Sequence, residues 1–187
     1  MKHAILKVAF FFGLVSGGVA FTFFLFLYWK ATDPLNNGRL LMDCLSGLLF
    51  VIAALLYFRK VIRGGWLHFW EALSIGFLTN LLSALVSAVL ILLFITKVDT
   101  SVLPTHLHQL EQMLLLRKKE YVILAGEDNF KRQLEQTRLT TPMDMFWDEL
   151  GKKGIIGFFL VLFVSILLRR QTYSIINPGG PTEKTPG

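Results

Sequence analysis

The feature that most constrains this sequence is a run of 22 residues, from Val8 to Trp29, that contains no charged side chain. At 1.5 Å per residue, a helix of this length crosses a hydrocarbon core of about 30 Å. The run ends in Leu27-Tyr28-Trp29-Lys30, which offers no small-residue cleavage site and so argues against a secretory signal. We predict that it is an uncleaved first membrane span.

Three more apolar runs follow, and they give a chain with four spans. The predicted spans cover residues 8–29, 40–58, 72–95 and 154–170. Four tryptophans at the edges of these runs support this assignment, because indole rings prefer the headgroup level of a bilayer. They are Trp29, Trp66, Trp70 and Trp147.

The fourth predicted span is the shortest, and two features extend it. Thr141 and Pro142 have the pattern of an N-cap and a first helical position, which indicates that the helix begins before Gly154. Lys152 and Lys153 would then direct their ammonium groups outward, toward the headgroups.

Composition agrees with membrane insertion. Hydrophobic residues make up 53% of the chain and charged residues only 17%, with a mean hydropathy of +0.55. Soluble domains carry about 25% charged residues, so an ordinary soluble enzyme is not favoured. The predicted fold class is all-α: an integral membrane four-helix bundle, with a helical extramembrane insert between spans three and four.

Basic residues predict the orientation. The short segments on one side of the bundle are rich in lysine and arginine, namely Lys2, Lys7, Arg59, Lys60, Arg63, Arg169 and Arg170. Such segments stay cytoplasmic, whereas long loops contribute little to the orientation. We therefore predict a multi-pass protein of the cell inner (plasma) membrane with both termini cytoplasmic.

The insert, residues 97–153, is predicted to be extracytoplasmic and helical. Its leucines recur at helical spacing, and Gly126 is predicted to end the first helix. The apolar stripe either folds back on the chain, lies on the membrane surface or binds a partner, and its candidate partner face is Leu107, Leu110 and Leu114. The proline- and glycine-rich tail, residues 171–187, is predicted to be a disordered cytoplasmic segment.

A polar seam lies on one face of span three. Gly76, Asn80, Ser83 and Ser87 are spaced by four, three and four residues. The seam either lines a small ion or substrate path or serves helix packing, in which small residues allow close approach and an asparagine bonds across the interface. Packing is the favoured alternative.

Gly13 and Gly17 form a G-x-x-x-G pattern in span one, which is typical of close helix pairs. The mate is either another span or a second copy of the chain. The carboxylates nearest the hydrocarbon, Asp43 and Glu71, either form interfacial ion pairs or act in a proton relay. Ion pairs are favoured, Asp43 with Arg39 and Glu71 with an arginine of the inner loop.

Catalytic, metal and cofactor sites are not indicated. His106 and His108 are two residues apart, so a helix points them in different directions, and both are predicted to be solvated. The sequence contains no nucleotide-binding glycine motif, nucleophile elbow or zinc motif. The basic clusters are explained by orientation and by anionic lipid, so no nucleic acid partner is implied.

Two stretches carry a resemblance to a known family: residues 13–18, Gly-Leu-Val-Ser-Gly-Gly, and residues 69–78, Phe-Trp-Glu-Ala-Leu-Ser-Ile-Gly-Phe-Leu. Together with the order of elements, they make the chain, from about Leu6 to Arg170, similar to a family of small bacterial four-span membrane proteins described as a domain of unknown function. The resemblance implies a bacterial inner-membrane location and no established activity. It supplies no catalytic residues.

Two functions follow as expectations. The first is a non-enzymatic scaffold or accessory subunit whose outer insert binds a partner membrane protein. The alternative is a small transporter or channel that uses the polar seam, and this reading implies a homo-oligomer because four spans make a thin wall. In either case the lipid bilayer is the first partner.

Overall fold

The computed structural model describes residues 2–30 and 32–168. Within these ranges the chain is helical and contains no strand, so the all-α prediction is confirmed. The helices are α1 (Lys2–Trp29), α2 (Asn37–Tyr57), α3 (Phe69–Leu93), α4 (Val102–Leu116), α5 (Lys118–Ala125), α6 (Glu127–Leu139) and α7 (Pro142–Leu168). The predicted tail, residues 171–187, lies outside the described residues.

Four of these helices are long and apolar enough to cross a membrane. The candidate spans are His3–Trp29, Gly38–Ile62, Phe69–Val98 and Pro142–Leu168, with mean hydropathies between 2.0 and 2.5. The second and third include a π-helical turn at their ends, Phe58–Ile62 and Phe94–Val98. The chain is therefore a multi-pass membrane protein in the part that the structure describes.

The helix ends follow from local chemistry. The Asn36 side chain accepts a hydrogen bond from the Gly38 N–H and caps α2. At the start of α7, Asp144 accepts from the Thr141 N–H at 2.8 Å, and the Thr141 hydroxyl accepts from the Asp144 N–H at 3.3 Å. These reciprocal bonds begin the helix at Pro142, as the Thr141-Pro142 pattern indicates.

The position of Lys153 differs from the sequence expectation. Because α7 begins at Pro142, Lys153 lies about 16 Å along the helix at 1.5 Å per residue, well inside the fourth span. Its side chain is buried rather than directed outward, whereas Lys152 is exposed. The expected outward reach of Lys153 is therefore wrong, and its burial has consequences for the site described below.

The helix α3 lies at the centre of the bundle and packs against α1, α2 and α7. Gly13 and Gly17 of α1 face α3: a Cβ on Gly13 would lie 2.9 Å from Leu82, and one on Gly17 would lie 2.7 Å from Val86. The mate of the G-x-x-x-G face is thus another span of the same chain. Close approach of the backbones gives dispersion contacts, which drive helix association in lipid.

The insert folds back on itself. The α4 and α5 helices are separated by a one-residue break at Arg117, and a turn at Gly126, with φ +86°, reverses the chain into α6. The α6 helix packs on both, with Phe130 buried against the Tyr121 ring. The fold-back alternative for the insert is the one that the structure shows.

The close α1–α3 packing makes a direct prediction. We expect Gly17→Val to lower the free energy of unfolding by about 1–3 kcal/mol, because the new side chain overlaps Val86 and pushes the helices apart. Unfolding of detergent-purified protein measures this. Gly18→Val is the matched control, because a Cβ at Gly18 has nothing within 4 Å. Equal losses in both variants would contradict the packing role.

Candidate functional site

Four charged side chains meet inside the bundle, near its insert end. Arg39 and Asp43 are one helical turn apart on α2, and Glu149 and Lys153 are one turn apart on α7. Both helices begin at the insert end of the bundle. The two pairs face each other there, and each pair forms salt bridges with the other. We call these four residues the charge cluster.

Lys153 is the centre of the charge cluster. Its Nζ lies 2.8 Å from Asp43 Oδ2, 2.7 Å from Glu149 Oε1 and 3.0 Å from Ser87 Oγ. An ammonium group has three N–H donors, and here each has an acceptor. The Ser87 hydroxyl in turn donates to the Ala84 carbonyl at 3.1 Å, so the network continues into α3.

Arg39 closes the ring from the opposite side. Its guanidinium donates to Asp43 Oδ2 at 3.0 Å and to Glu149 Oε1 at 2.7 Å. The guanidinium carbon also lies 5.8 Å from the ring centroid of Phe24, which is fully buried on α1. The Asp43–Arg39 pair is confirmed, but it is buried in the bundle rather than interfacial.

The charges in the cluster sum to zero, and each base contacts both acids. This arrangement is what low-dielectric surroundings require, since an unpaired charge among buried side chains costs several kcal/mol. Side-chain exposure is 1% for Asp43, 2% for Arg39, 7% for Lys153 and 12% for Glu149. The cluster therefore joins α2, α3 and α7 electrostatically.

A cavity of about 470 Å³ lies between the charge cluster and the insert. We call it the vestibule. Arg39 and Glu149 form part of its wall with further residues of α2 and α7, and α4, α6 and the loop between α1 and α2 form the rest. Its lining mixes polar and apolar side chains, including Asn36, Leu107, Leu110, Gln136, Met145 and Asp148.

The predicted partner face lies on the covered side of α4. Leu107 packs beside the buried cluster that contains Phe24 and Val102, and Leu107 and Leu110 line the vestibule. Leu114 is also half-buried. In the folded chain Leu107 therefore meets the bundle, and Leu107 and Leu110 meet the vestibule.

The polar seam of α3 meets two neighbours. Gly76 faces α7, where a Cβ would lie 2.7 Å from Val161. Asn80 packs directly on Gly157 of α7, and its amide lies 3.5 Å from the Lys153 carbonyl. Ser83 instead faces α1 and donates to Ser16 Oγ at 2.8 Å.

The last residue of the seam, Ser87, belongs to the charge cluster. The seam thus reaches from helix contacts in the middle of the membrane to the buried charges beneath the vestibule.

His106 holds the insert to the bundle. Its Nδ1 lies 2.6 Å from Asp33 Oδ2, and the residue is buried, so the prediction of a solvated histidine is wrong at this position. The cause is the loop between α1 and α2, which covers the ring with Asp33. His108 is exposed and contacts Gln112, and within residues 2–30 and 32–168 no three potential metal ligands converge.

The electrostatics of Asp33 follow from this contact. Burial alone raises the pKa of Asp33, but hydrogen bonds from His106 and the Leu35 N–H, with the nearby charge of Arg39, hold the pKa below its ordinary value of 3.8. The ionised carboxylate is therefore the form that the fold favours.

At the opposite end of the bundle, Glu71 pairs with Arg63. This confirms the predicted ion pair of Glu71 with an arginine of the preceding loop. The two residues flank a turn that Gly64 and Gly65 make with positive φ angles of 61° and 108°, which only glycine adopts readily.

Sequence reasoning missed Glu149 and Lys153 as members of a site. The available signal was their spacing of four residues, matched by the same spacing of Arg39 and Asp43. Two such pairs at the same ends of two apolar spans predict a buried ring of charges, provided that the fourth helix is started at Pro142.

Residues 11–170 match the family described as "Protein of unknown function (DUF4199)". The chain belongs to this family. The match spans most of the chain, from the first span through the insert to the end of the fourth, and the resemblance to a domain of unknown function is confirmed. No curated protein and no solved structure matches the chain.

The charge cluster predicts a large effect of Lys153→Met in this member of the family. The change removes one base and leaves two buried carboxylates with a single partner, so we expect a loss of about 3–5 kcal/mol in the free energy of unfolding. Lys152→Met is the control, since its exposed pair with Asp148 is worth under about 1 kcal/mol. A loss for Lys153→Met no larger than the control would contradict the buried geometry.

The lowered pKa of Asp33 predicts a pH dependence. Ionised Asp33 stabilises the folded state above its unfolded pKa, and this contribution disappears as the pH falls through the lower, folded pKa. We therefore expect Asp33→Asn to lower the melting temperature at pH 7, and the difference from the unmodified chain to shrink as the pH falls below the ordinary carboxyl range and through the folded pKa. A difference that is as large in acid as at pH 7 would contradict the assignment.

Proposed function

We propose that this chain is a non-enzymatic accessory subunit of the membrane, whose insert binds an apolar helix of a partner membrane protein. The observation that carries the proposal is a set of large apolar side chains left exposed on the insert. Leu116, Ile123 and Leu124 are 86%, 83% and 87% exposed. We call these three residues the arm face.

The arm face lies on both sides of the break at Arg117. Leu116 is the last residue of α4, and Ile123 and Leu124 are adjacent on α5. Arg117 bonds to both helices, from its N–H to Met113 and from the Tyr121 N–H to its carbonyl. The three exposed side chains therefore belong to one short stretch of the insert.

The three leucines predicted for the partner face have a different task in this proposal. Leu107 and Leu110 lie between the insert and the bundle, and Leu114 is half-buried, so replacing these residues disturbs the fold of the insert itself. The arm face projects from that attached base. Basic side chains at Arg117, Lys118 and Lys119 border it and favour a partner with acidic residues beside its apolar helix.

A small oligomeric transporter is the second candidate. The vestibule favours it, because a cavity of about 470 Å³ that ends on buried charges is a frequent form of an ion or solute site in membrane proteins. In this alternative the arm face contacts a second copy of the chain. Flux into proteoliposomes, and its loss in Asn80→Leu, would support it.

Site-specific photocrosslinking in native membranes tests the accessory role. With the photoreactive residue at Leu116 or Leu124, we expect adducts with one and the same protein, and Ile123→Ser should reduce them at least tenfold, because it removes the centre of the contact. Leu139 is the control position, as it is 69% exposed on α6 but lies off the arm face.

Three outcomes decide between the readings. One shared heteromeric adduct at the arm positions supports the accessory subunit. Adducts between two copies of the chain would contradict the accessory role and favour the oligomeric transporter. Adducts with lipid alone, or equal adducts at Leu139, would contradict a protein partner at the arm face.

A further inference from the structure

We propose that the end of the bundle opposite the insert binds one anionic phospholipid, with an acyl chain in a groove between α1 and α2 and the headgroup at Lys7. This site is separate from the arm face and the vestibule, and its occupant does not depend on the proposed function.

The groove has a volume of about 420 Å³. On α1 it is lined by Ala4, Lys7, Val8 and Phe11, which have the three- and four-residue spacing of a single helical face. Tyr57 and Ile62 close it from the α2 side. Apart from the ammonium of Lys7, these side chains offer mostly carbon to an occupant.

The surroundings specify a hydrocarbon chain. The groove opens on the outer surface of two membrane-crossing helices, with Phe11 64% and Tyr57 46% exposed. A groove at this depth is filled by hydrocarbon, because an empty one forfeits the dispersion contacts of its walls. An acyl chain is the occupant that a bilayer supplies.

The charges specify an anionic headgroup. Lys7 is exposed and, within residues 2–30 and 32–168, makes no ion pair. The π-helical turn Phe58–Ile62, which carries Arg59 and Lys60, packs against α1. The nearby acid, Glu71, is already paired with Arg63.

Lys7 is thus a basic group in the wall of the groove, and the turn that carries Arg59 and Lys60 lies against the same helix. Long basic side chains at a helix end extend toward the headgroups, where each adds attraction for anionic lipid. The same face of α1 therefore offers an apolar groove for an acyl chain and the ammonium of Lys7 for a headgroup, which together fit one anionic lipid molecule.

Native mass spectrometry tests the site. The full chain is purified from mixed micelles that contain equal amounts of phosphatidylglycerol and phosphatidylcholine, and the retained lipids are counted. We expect phosphatidylglycerol to be retained at least fivefold over phosphatidylcholine. Lys7→Gln should reduce this preference about fivefold, since one basic side chain near the headgroups is removed.

Lys30→Gln is the matched control, because Lys30 is exposed at the other end of the same helix, over the Phe26 ring. It should leave the preference unchanged. Ala4→Trp fills the groove without changing the charge and should reduce retention of both lipids. If Ala4→Trp does not fold, Phe11→Ala removes part of the groove wall and should also reduce retention of both lipids.

The proposal is overturned if the unmodified chain retains both lipids equally, or if Lys30→Gln reduces the preference as much as Lys7→Gln. It is also overturned if a folded groove variant retains lipid like the unmodified chain. Loss in Lys7→Gln together with loss in the groove variant supports both halves of the site.

Discussion

The ring of ion pairs among Arg39, Asp43, Glu149 and Lys153 is the interaction on which the insert end of this molecule depends. Two bases and two acids, each contacting both opposite charges, form a neutral unit inside the bundle. Because removal of any one member leaves the buried ring with an uncompensated charge, the four residues act together. The second and fourth spans are thereby fixed in register beneath the insert.

Small residues provide the complementary contacts deeper in the bundle. Gly17 lets α1 approach α3, and Gly157 lets α7 receive Asn80. In lipid, where apolar side chains gain little by leaving the solvent, such close packing and a few polar contacts hold helices together. The bundle therefore combines packing at mid-depth with electrostatics at the insert end, and the His106–Asp33 contact attaches the insert above them.

The spans, their caps and the glycine face were predictable because each is encoded in a local pattern. An uncharged apolar run predicts a span, Thr141-Pro142 predicts the start of α7, and Gly126 predicts the end of α5. The charge cluster was not predicted, since it depends on which turn of α7 meets α2. His106 was misjudged for a similar reason: only the folded loop brings Asp33 to its ring.

For the apolar residues of the insert, too, the sequence alone did not predict which side chains are buried. Periodicity identified a stripe of leucines but did not reveal what covers it. In the structure the base of α4 covers Leu107 against the bundle, while Leu116 stays exposed. Which apolar face is free is a property of tertiary packing, so a partner surface is assigned only after the fold is known.

A double-mutant cycle between Asp43 and Lys153 tests the central claim most directly. The free energies of unfolding of Asp43→Asn, Lys153→Met and the double variant are measured in the same detergent. A buried ion pair predicts a coupling energy of about 2 kcal/mol or more, with the double variant more stable than the sum of the single changes implies. Additive effects, with coupling below about 0.5 kcal/mol, would mean that Lys153 reaches out of the bundle and would contradict the charge cluster.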